Sequence, residues 1–354
     1  VKGLILSGGK GTRLRPLTHT RAKQLVPVAN KPVLLYGVEA IVAAGIREIG
    51  VVVGETRSEI HEALGDGSRF GARITYIEQD APRGLAHAVL ISEGFLKGEP
   101  FVMYLGDNLI ADGITALVDD YRRRGINSQI LLAKVPNPEQ FGVAELDDGR
   151  VVRLTEKPKK PKSNLALVGV YMFDDTIWEA VKAIRPSARQ ELEITDAIQW
   201  LIDHGRTVHP HLVSGWWKDT GKIEDMLEAN RIILDTFDAR GLENVDSGSR
   251  VEGKVVLEPG SRVVRSTLRG PAIVGAGAEI HDAFVGPYTS IGAGCYVERC
   301  EIENSIVLQG SRIERIPGRI ADSLIGTNVR IHPGAERPRV HRFLIGDNSE
   351  IGIL

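Results

Sequence analysis

The run Ser7-Gly8-Gly9-Lys10-Gly11-Thr12-Arg13-Leu14-Arg15-Pro16 carries the strongest chemical signal in this chain. It follows the β-rich stretch Gly3–Leu6, opens on glycines and continues into basic side chains. Glycine lets backbone N–H groups approach a phosphate or the edge of a base without a side chain in the way. Arg13 then offers a planar fork to phosphate oxygens. Neither common nucleotide motif fits: a Walker loop needs Gly-Lys-Ser/Thr after four intervening residues, and a dinucleotide fingerprint would want Gly where Leu14 stands. By spacing alone this is a phosphate-binding loop of unspecified type.

Other residues with chemical potential are scattered. Asp107 in Gly106-Asp107-Asn108 and Asp219 in Trp217-Lys218-Asp219-Thr220-Gly221 each follow a strand-like run. A lone Asp there is ordinarily a cap or turn residue. Gln79 carries an amide that donates and accepts at once, which suits a pyrimidine edge. Glu156 and the backbone at Gly142 can give directional hydrogen bonds to hydroxyls, and Lys157 supplies a cation. No Ser-His-Asp or Cys-His arrangement has supporting context, so catalysis through a covalent intermediate is not expected.

The elements that must position these residues alternate. Strands are expected at Gly3–Leu6, Ile49–Val53, Arg73–Ile77 and Pro100–Leu105, with helices at Pro32–Ala44 (closed by Gly45), Glu55–Leu64 and Leu85–Phe95. This βαβ order predicts an α/β fold, a Rossmann-like mixed, mostly parallel sheet whose ligands bind beyond the carboxyl ends of the strands. The loop at Gly8 and Asp107 both sit at such ends. Further strands are expected at Gln129–Val135, Gly142–Leu146, Val151–Glu156 and Ala166–Phe173, and helices at Ile177–Ile184, Glu193–Asp203 and Ile223–Phe237.

The pattern changes near residue 240. Aliphatic residues recur at Val285, Ile291 and Val297, then Ile313, Ile325 and Ile331, then Ile345 and Ile351, several followed by Gly. A step of six with one inward aliphatic residue per face predicts a parallel β-helix built of hexapeptides. The division expected is a catalytic domain over 1–240 and a β-helix over 241–354. Arg315–Arg319 and Pro333–Arg342 break the period and are expected to protrude as loops.

The first loop together with Lys23-Gln24-Leu25-Val26-Pro27-Val28-Ala29-Asn30-Lys31-Pro32 resembles the signature of sugar-nucleotide pyrophosphorylases, GGxGTRLxPLT followed by K-x-x-x-P-V-x-x-K-P. The resemblance runs over residues 1–237 and is nearest to the glucose-1-phosphate thymidylyltransferase branch, in the long form with a C-terminal left-handed β-helix. Gln24 stands where ADP-glucose enzymes usually have Pro. The resemblance implies nucleotidyl transfer from dTTP to glucose 1-phosphate, yielding dTDP-glucose and pyrophosphate, with Mg²⁺ held by Asp107 and Asp219. It implies a nucleotide site of Gly8, Gly9, Gly11, Thr12, Arg13, Gln24, Gln79, Gly84 and Asp107, with Arg13, Lys23 and Asp107 catalytic. The sugar phosphate falls to Gly142, Glu156, Lys157, Val168 and Tyr171. Gln190 departs from the pattern, since Gly is commoner before Glu-Leu, and Arg189 is therefore left outside the set.

Thymine and uracil differ by one methyl group, so UTP, alone or beside dTTP, is an alternative donor. An acyltransferase in the β-helix, with His281, His332 or His341 as base, and a non-catalytic regulatory subunit are two further readings. The balance of charge excludes less ambiguous partners: a net charge of −2 with 25% charged residues gives no basic surface for nucleic acid. Cys295 and Cys300 are the sole cysteines and fit a reducing, cytoplasmic setting. No leader or membrane span is expected, and side-by-side packing of β-helices predicts a homo-oligomer, a trimer being one form.

Overall fold

A computed structural model describes residues 1–9, 11–19 and 21–334. Lys10, the repeat positions Ile345 and Ile351, His341 and nearly all of the second expected loop lie outside the described residues. Two compact units form. One comprises Val1–Lys10, Arg21–Leu25 and Val33–Asp219; the other comprises Gly11–Thr20, Val26–Pro32 and Thr220–Leu354. The Gly-rich loop is thereby divided, Gly8 and Gly9 belonging to the first unit and Gly11, Thr12 and Arg13 to the second. No helix among the described residues is long and apolar enough to cross a membrane.

The first unit is built on a nine-stranded sheet. Its parallel part contains β1 (Lys2–Leu6), β2 (Glu48–Val53), β3 (Arg73–Glu78) and β4 (Phe101–Leu105). β1 lies between β2 and β4, and β3 flanks β2, all in parallel register. β1, β2 and β4 read as near-continuous apolar runs and are largely buried, whereas β3 at the edge alternates. α1 (Val33–Ala43), α2 (Arg57–Leu64) and α3 (Leu85–Ile91) are the crossovers. Gly45 ends the first helical stretch at φ +81, as its sequence position predicts. The single helix expected over Leu85–Phe95 is two: Ser92 turns its hydroxyl back to Ala88 O at 2.7 Å, and a short helix Glu93–Leu96 restarts beyond it.

The rest of the sheet is mostly antiparallel. The short β5 (Asn108–Ile110) leaves the main sheet, and β6 (Ser128–Lys134), β7 (Gly142–Asp147), β8 (Arg150–Glu156) and β9 (Leu165–Phe173) follow. β9 joins the two halves, running antiparallel to β4, β6 and β7. Between these lie α4 (Thr115–Arg124), α5 (Ile177–Ala183) and α6 (Ile194–Asp203). The elements that escaped the sequence reading include α4, β5 and β10 (Val208–Leu212), the last of these an edge strand of alternating His and Pro that lacks an apolar pattern. β11 (Trp217–Asp219) closes a two-stranded antiparallel ribbon with β5.

In the second unit, fifteen short strands from Arg250 to Ile331 form three parallel five-stranded sheets, a left-handed β-helix. Val285, Ile291, Val297, Ile313 and Ile325 are buried inside it, as the repeat predicts. The coil differs from three hexapeptides. Arg250 stacks on Thr267 and Thr267 on Phe284, a rise of seventeen residues per turn. One face is a residue short, since the inward side chain after Val297 is Ile302. Of the expected loop at Arg315–Arg319, Arg319 enters a strand beside Glu301, and the coil there lengthens to eighteen residues. Corners are closed by left-handed residues in vertical files: Gly260, Gly277, Gly294 and Gly310 on one edge, Arg265, Asp282 and Arg299 on another. Cys295 and Cys300 are buried corner residues that carry free thiols.

The helix α7 (Ile223–Asp235) ties this unit together through Asn230, which is fully buried. Its Oδ1 accepts from Ala29 N–H at 2.8 Å and from the Ser290 hydroxyl at 2.6 Å, while Nδ2 donates to Tyr288 O at 2.9 Å. Ala29 and Asn30 both have positive φ, the turn of the small hairpin Pro27–Pro32, and Asn30 Nδ2 donates to Ile291 O. Asn230→Leu would strand these partners, at about 1–3 kcal/mol each. A clearly lowered urea midpoint is expected; an unchanged one would show that Asn230 is not the tie.

Candidate active site

Four parallel strands end on one edge of the sheet, and the loops that leave them crowd together. Ser7 N–H donates to Val52 O, Gly106 N–H to Leu6 O and Gln79 N–H to Val53 O, so the ends of β1, β2, β3 and β4 are laced to one another. Gly8 packs backbone to backbone on Gly54: a Cβ at Gly54 would lie 3.4 Å from Gly8 O. A Cβ at Gly8 would sit 3.1 Å from Gln79 Oε1, and one at Gly9 would sit 3.7 Å from Gln24 Nε2. The loop glycines and the two glutamines therefore line one cradle. Ser7 Oγ and Gln24 Oε1 are buried with no hydrogen-bond partner among the described residues. Buried polar atoms are rarely left so, and a bound polar group would satisfy them.

Gln79 is fixed from behind. Its Nε2 lies 3.4 Å from Gly84 O and 3.1 Å from His87 Nδ1. Gly84 has φ +101, and a Cβ there would come within 2.4 Å of Leu192 O, so the packing of Leu192 alone demands glycine.

Beside the cradle stand the charged groups. Lys23, in the short turn Lys23–Leu25, is 7% exposed. Its Nζ is 2.5 Å from Asp107 Oδ2 and 3.6 Å from Asp219 Oδ1. The ribbon of β5 and β11 makes this meeting possible, because its register sets Asp219 opposite Asn108, the neighbour of Asp107. Asn108 is pinned in turn: Trp217 Nε1 donates to its Oδ1 at 2.5 Å, and its Nδ2 donates to Asp107 Oδ1 at 3.2 Å. Both carboxylates thus already face one point of positive charge. Two carboxylates, with the other positions left to water and phosphate oxygens, form the donor set that Mg²⁺ favours. Among the described residues no cluster of three or more His, Cys, Asp or Glu side chains offers a competing metal site.

A second group gathers on β7, β8 and α6. Glu156 lies opposite Gly142 in the ladder, and a Cβ at Gly142 would meet Leu167 at 2.6 Å and Thr195 at 2.7 Å. Glu156 Oε2 accepts from Thr195 Oγ1 at 3.3 Å, and its Oε1 takes Arg189 Nη2 at 3.1 Å. Lys157 Nζ stands 3.9 Å from the same carboxylate on a half-exposed side chain. Burial holds the Glu156 carboxyl above its ordinary pKa, and the negative charge of Glu193 adds to this against Lys157 and Arg189. Val168 and Tyr171 are buried at 1% and 3% exposure, so their side chains belong to the core. They flank Gly169, which sits at φ +83 where the register of β9 against β6 breaks. Such a bulge turns main-chain groups out of the ladder.

In the second unit, Gly11 is left-handed at φ +60 and starts the turn Thr12–Leu14. Leu14 is fully buried and anchors it, leaving Thr12 and Arg13 exposed. Thr18 Oγ1 donates to Gly11 O at 2.7 Å.

Comparison with known proteins addresses the whole chain. The nucleotidyl transferase family profile matches residues 2–236. The chain is 54% identical, over its full length and 99% of the relative's, to a glucose-1-phosphate thymidylyltransferase of Streptomyces antibioticus. A protein of the same name from Streptomyces griseus is 52% identical at the same coverage. Among solved structures, a Bacillus anthracis chain provisionally assigned that name, crystallised with sucrose, aligns at TM-score 0.63 and 35% identity, covering 68% of this chain and 97% of its own.

This chain belongs to the nucleotidyl transferase family. In this nucleotidyl transferase the sequence motifs for Gly8, Gly9, Gln24, Lys23, Gln79, Asp107 and Asp219 converge in the first unit. Arg189 was passed over in the sequence because Gln190 replaced the usual glycine. The position does need a left-handed residue, φ +62, and Gln190 adopts it, so Arg189 still reaches Glu156 and Glu193. Ser7, Gly54, His87 and Asn108 were also missed; only their place in three dimensions marks them.

The raised carboxyl of Glu156 has a measurable consequence. A raised folded pKa gives stability that is full below the unfolded carboxyl value of about 4.3 and is lost as pH rises through the folded value. The melting temperature of Glu156→Gln relative to wild type should therefore climb between about pH 4 and pH 7. A difference that stays flat across that range would refute the shift.

Proposed function

We propose that this nucleotidyl transferase moves a thymidylyl group from dTTP to glucose 1-phosphate, giving dTDP-glucose and pyrophosphate. The observation that carries the reading is the convergence of Asp107 and Asp219 on Lys23 beside the Gly8–Gly9 cradle. The names of the full-length relatives supply the substrates.

An oxygen of the sugar phosphate attacks the α-phosphorus of the triphosphate in line. The new P–O bond forms as the bond to the β-phosphate breaks, and pyrophosphate leaves with the electron pair. The attacking oxygen is already anionic, so no proton needs removing and no general base is required. What the site must supply is positioning and relief of charge repulsion. Mg²⁺ held by Asp107 and Asp219 would supply Lewis-acid polarisation of the α-phosphoryl group. Lys23 balances those carboxylates before substrate binds, and is assigned with Arg13 to the charge of the triphosphate and its leaving group. Gly8, Gly9, Gly11 and Thr12 are assigned to its phosphates and ribose side, Gln24, Gln79 and Gly84 to the base. Lys157 is assigned to the acceptor phosphate, Glu156 and the main chain at Gly142 to sugar hydroxyls, and the opened strand at Val168–Tyr171 to the floor of that pocket. In the β-helix, His281 is held by Glu279 at 2.9 Å and stacks on Tyr296, an arrangement that serves packing.

The test is pyrophosphate release with Mg²⁺, glucose 1-phosphate and each nucleoside triphosphate in turn. dTTP should lead and UTP follow, since a single methyl contact separates them by about 1–3 kcal/mol; a lead by ATP or GTP would overturn the donor. Asp107→Asn should lose at least about 100-fold in kcat while keeping its melting cooperativity. Near-normal turnover in that variant would remove Asp107 from the metal site.

A further inference from the structure

The orientation of the Gln79 amide can be read from what stands behind it. A carbonyl oxygen only accepts, so the amide atom 3.4 Å from Gly84 O is the NH₂ group. The same nitrogen faces His87 Nδ1 at 3.1 Å, so that ring nitrogen accepts and the proton rests on Nε2. Oε1 is then left on the side of Gly8, 3.1 Å from where a Cβ of that residue would be. Both amide hydrogens have acceptors behind the cradle, and the acceptor alone is presented within it.

We infer that His87 is a positioning residue for base selection, locking the Gln79 amide so that its carbonyl oxygen faces the base and admits only an imide N–H. This rests on the proposal that Gln79 reads the base. Thymine and uracil carry a hydrogen at N3; cytosine carries a lone pair there. To accept cytosine the amide must turn over, which would set Oε1 against Gly84 O and His87 Nδ1, two acceptors, and break both hydrogen bonds. Burial, with Arg83 nearby, holds the His87 pKa below its ordinary value, which keeps the ring neutral and able to accept. Gly84 cannot shift to relieve the clash, because its backbone is pressed against Leu192. His87 itself is 9% exposed at the buried start of α3.

The experiment measures kcat/KM for dTTP and for dCTP, with glucose 1-phosphate and Mg²⁺, on the full chain. His87→Leu removes the acceptor, and the dTTP to dCTP ratio should fall about tenfold or more. His87→Asn sets Oδ1 where Nδ1 was and should hold the ratio within about twofold of wild type. If His87→Leu does not fold, His87→Ala serves as the second truncation. A ratio unchanged by truncation, both nucleotides losing equally, would reduce His87 to a packing residue and overturn the inference. So would His87→Asn behaving as His87→Leu. Gln79→Ala separates the two levels: if it collapses the ratio while truncation of His87 does not, only the lock fails. If Gln79→Ala leaves the ratio intact, the base reading falls and the lock with it.

Discussion

Two carboxylates held side by side repel unless a cation stands between them, and this site is arranged around that constraint. Asp107 ends β4 and Asp219 ends β11, more than a hundred residues later; the two-stranded ribbon alone sets them in register. Lys23 provides the balancing charge, buried to 7% exposure on a turn between the loop and α1. A buried ammonium is costly without partners, and the two part-exposed carboxylates supply them. Each therefore holds the others in place. Under the proposed function, Asp107 and Asp219 would hold the divalent ion where strand pairing has already brought them together, which would leave little reorganisation for the chemical step.

The groups proposed for recognition lie on different elements from the charged ones. Those assigned to the base lie among Gly8, Gly54, Gln79 and the start of α3. Those assigned to the acceptor lie on β7, β8 and the segment before α6, where Glu156 and Glu193 share Arg189. Burial first, and the like charge of Glu193 second, make Glu156 resist ionisation, and a guanidinium, with its several donors, sits between the two carboxylates. The Gly84–Leu192 contact joins these two regions: Leu192 N–H donates to Arg83 O and Leu192 O accepts from Ala86 N–H. The segment that carries Arg189 is thus the neighbour of the turn that orients Gln79.

Much of this was legible in the sequence because glycine, aspartate and glutamine fall at strand ends, and strand ends are easily read in a βαβ pattern. The resemblance at Gly8–Pro16 and Lys23–Pro32 supplied roles that spacing alone left open. What escaped had physical reasons. β10 is an edge strand with His and Pro in place of an aliphatic run, and β5 has three residues. The β-helical repeat announced itself at six, yet the first coils close in seventeen and later ones in sixteen or eighteen, because faces shortened or lengthened by a residue are invisible to a short-period reading. Gln190 looked like a lost glycine, yet it takes the left-handed conformation and the turn is kept. Val168 and Tyr171 read as site residues, and the structure shows side chains that face the core, so any role they have lies in the backbone around Gly169.

The division of labour has an evolutionary corollary in physical terms. The charge-bearing triad depends on strand register, which cannot be altered without moving the whole ribbon. The Gln79 amide is held by two hydrogen bonds from behind, of which a substitution at His87 would release one and leave the other, to Gly84 O. The charged groups are thus fixed by the sheet itself, while the amide proposed to read the base hangs on one side chain and one turn. A change of acceptor would involve a third set of groups, since Glu156 and Lys157 hang on the bulged half of the sheet and are held by Arg189. The groups proposed for base, metal and sugar thus stand at separate strand ends of one sheet.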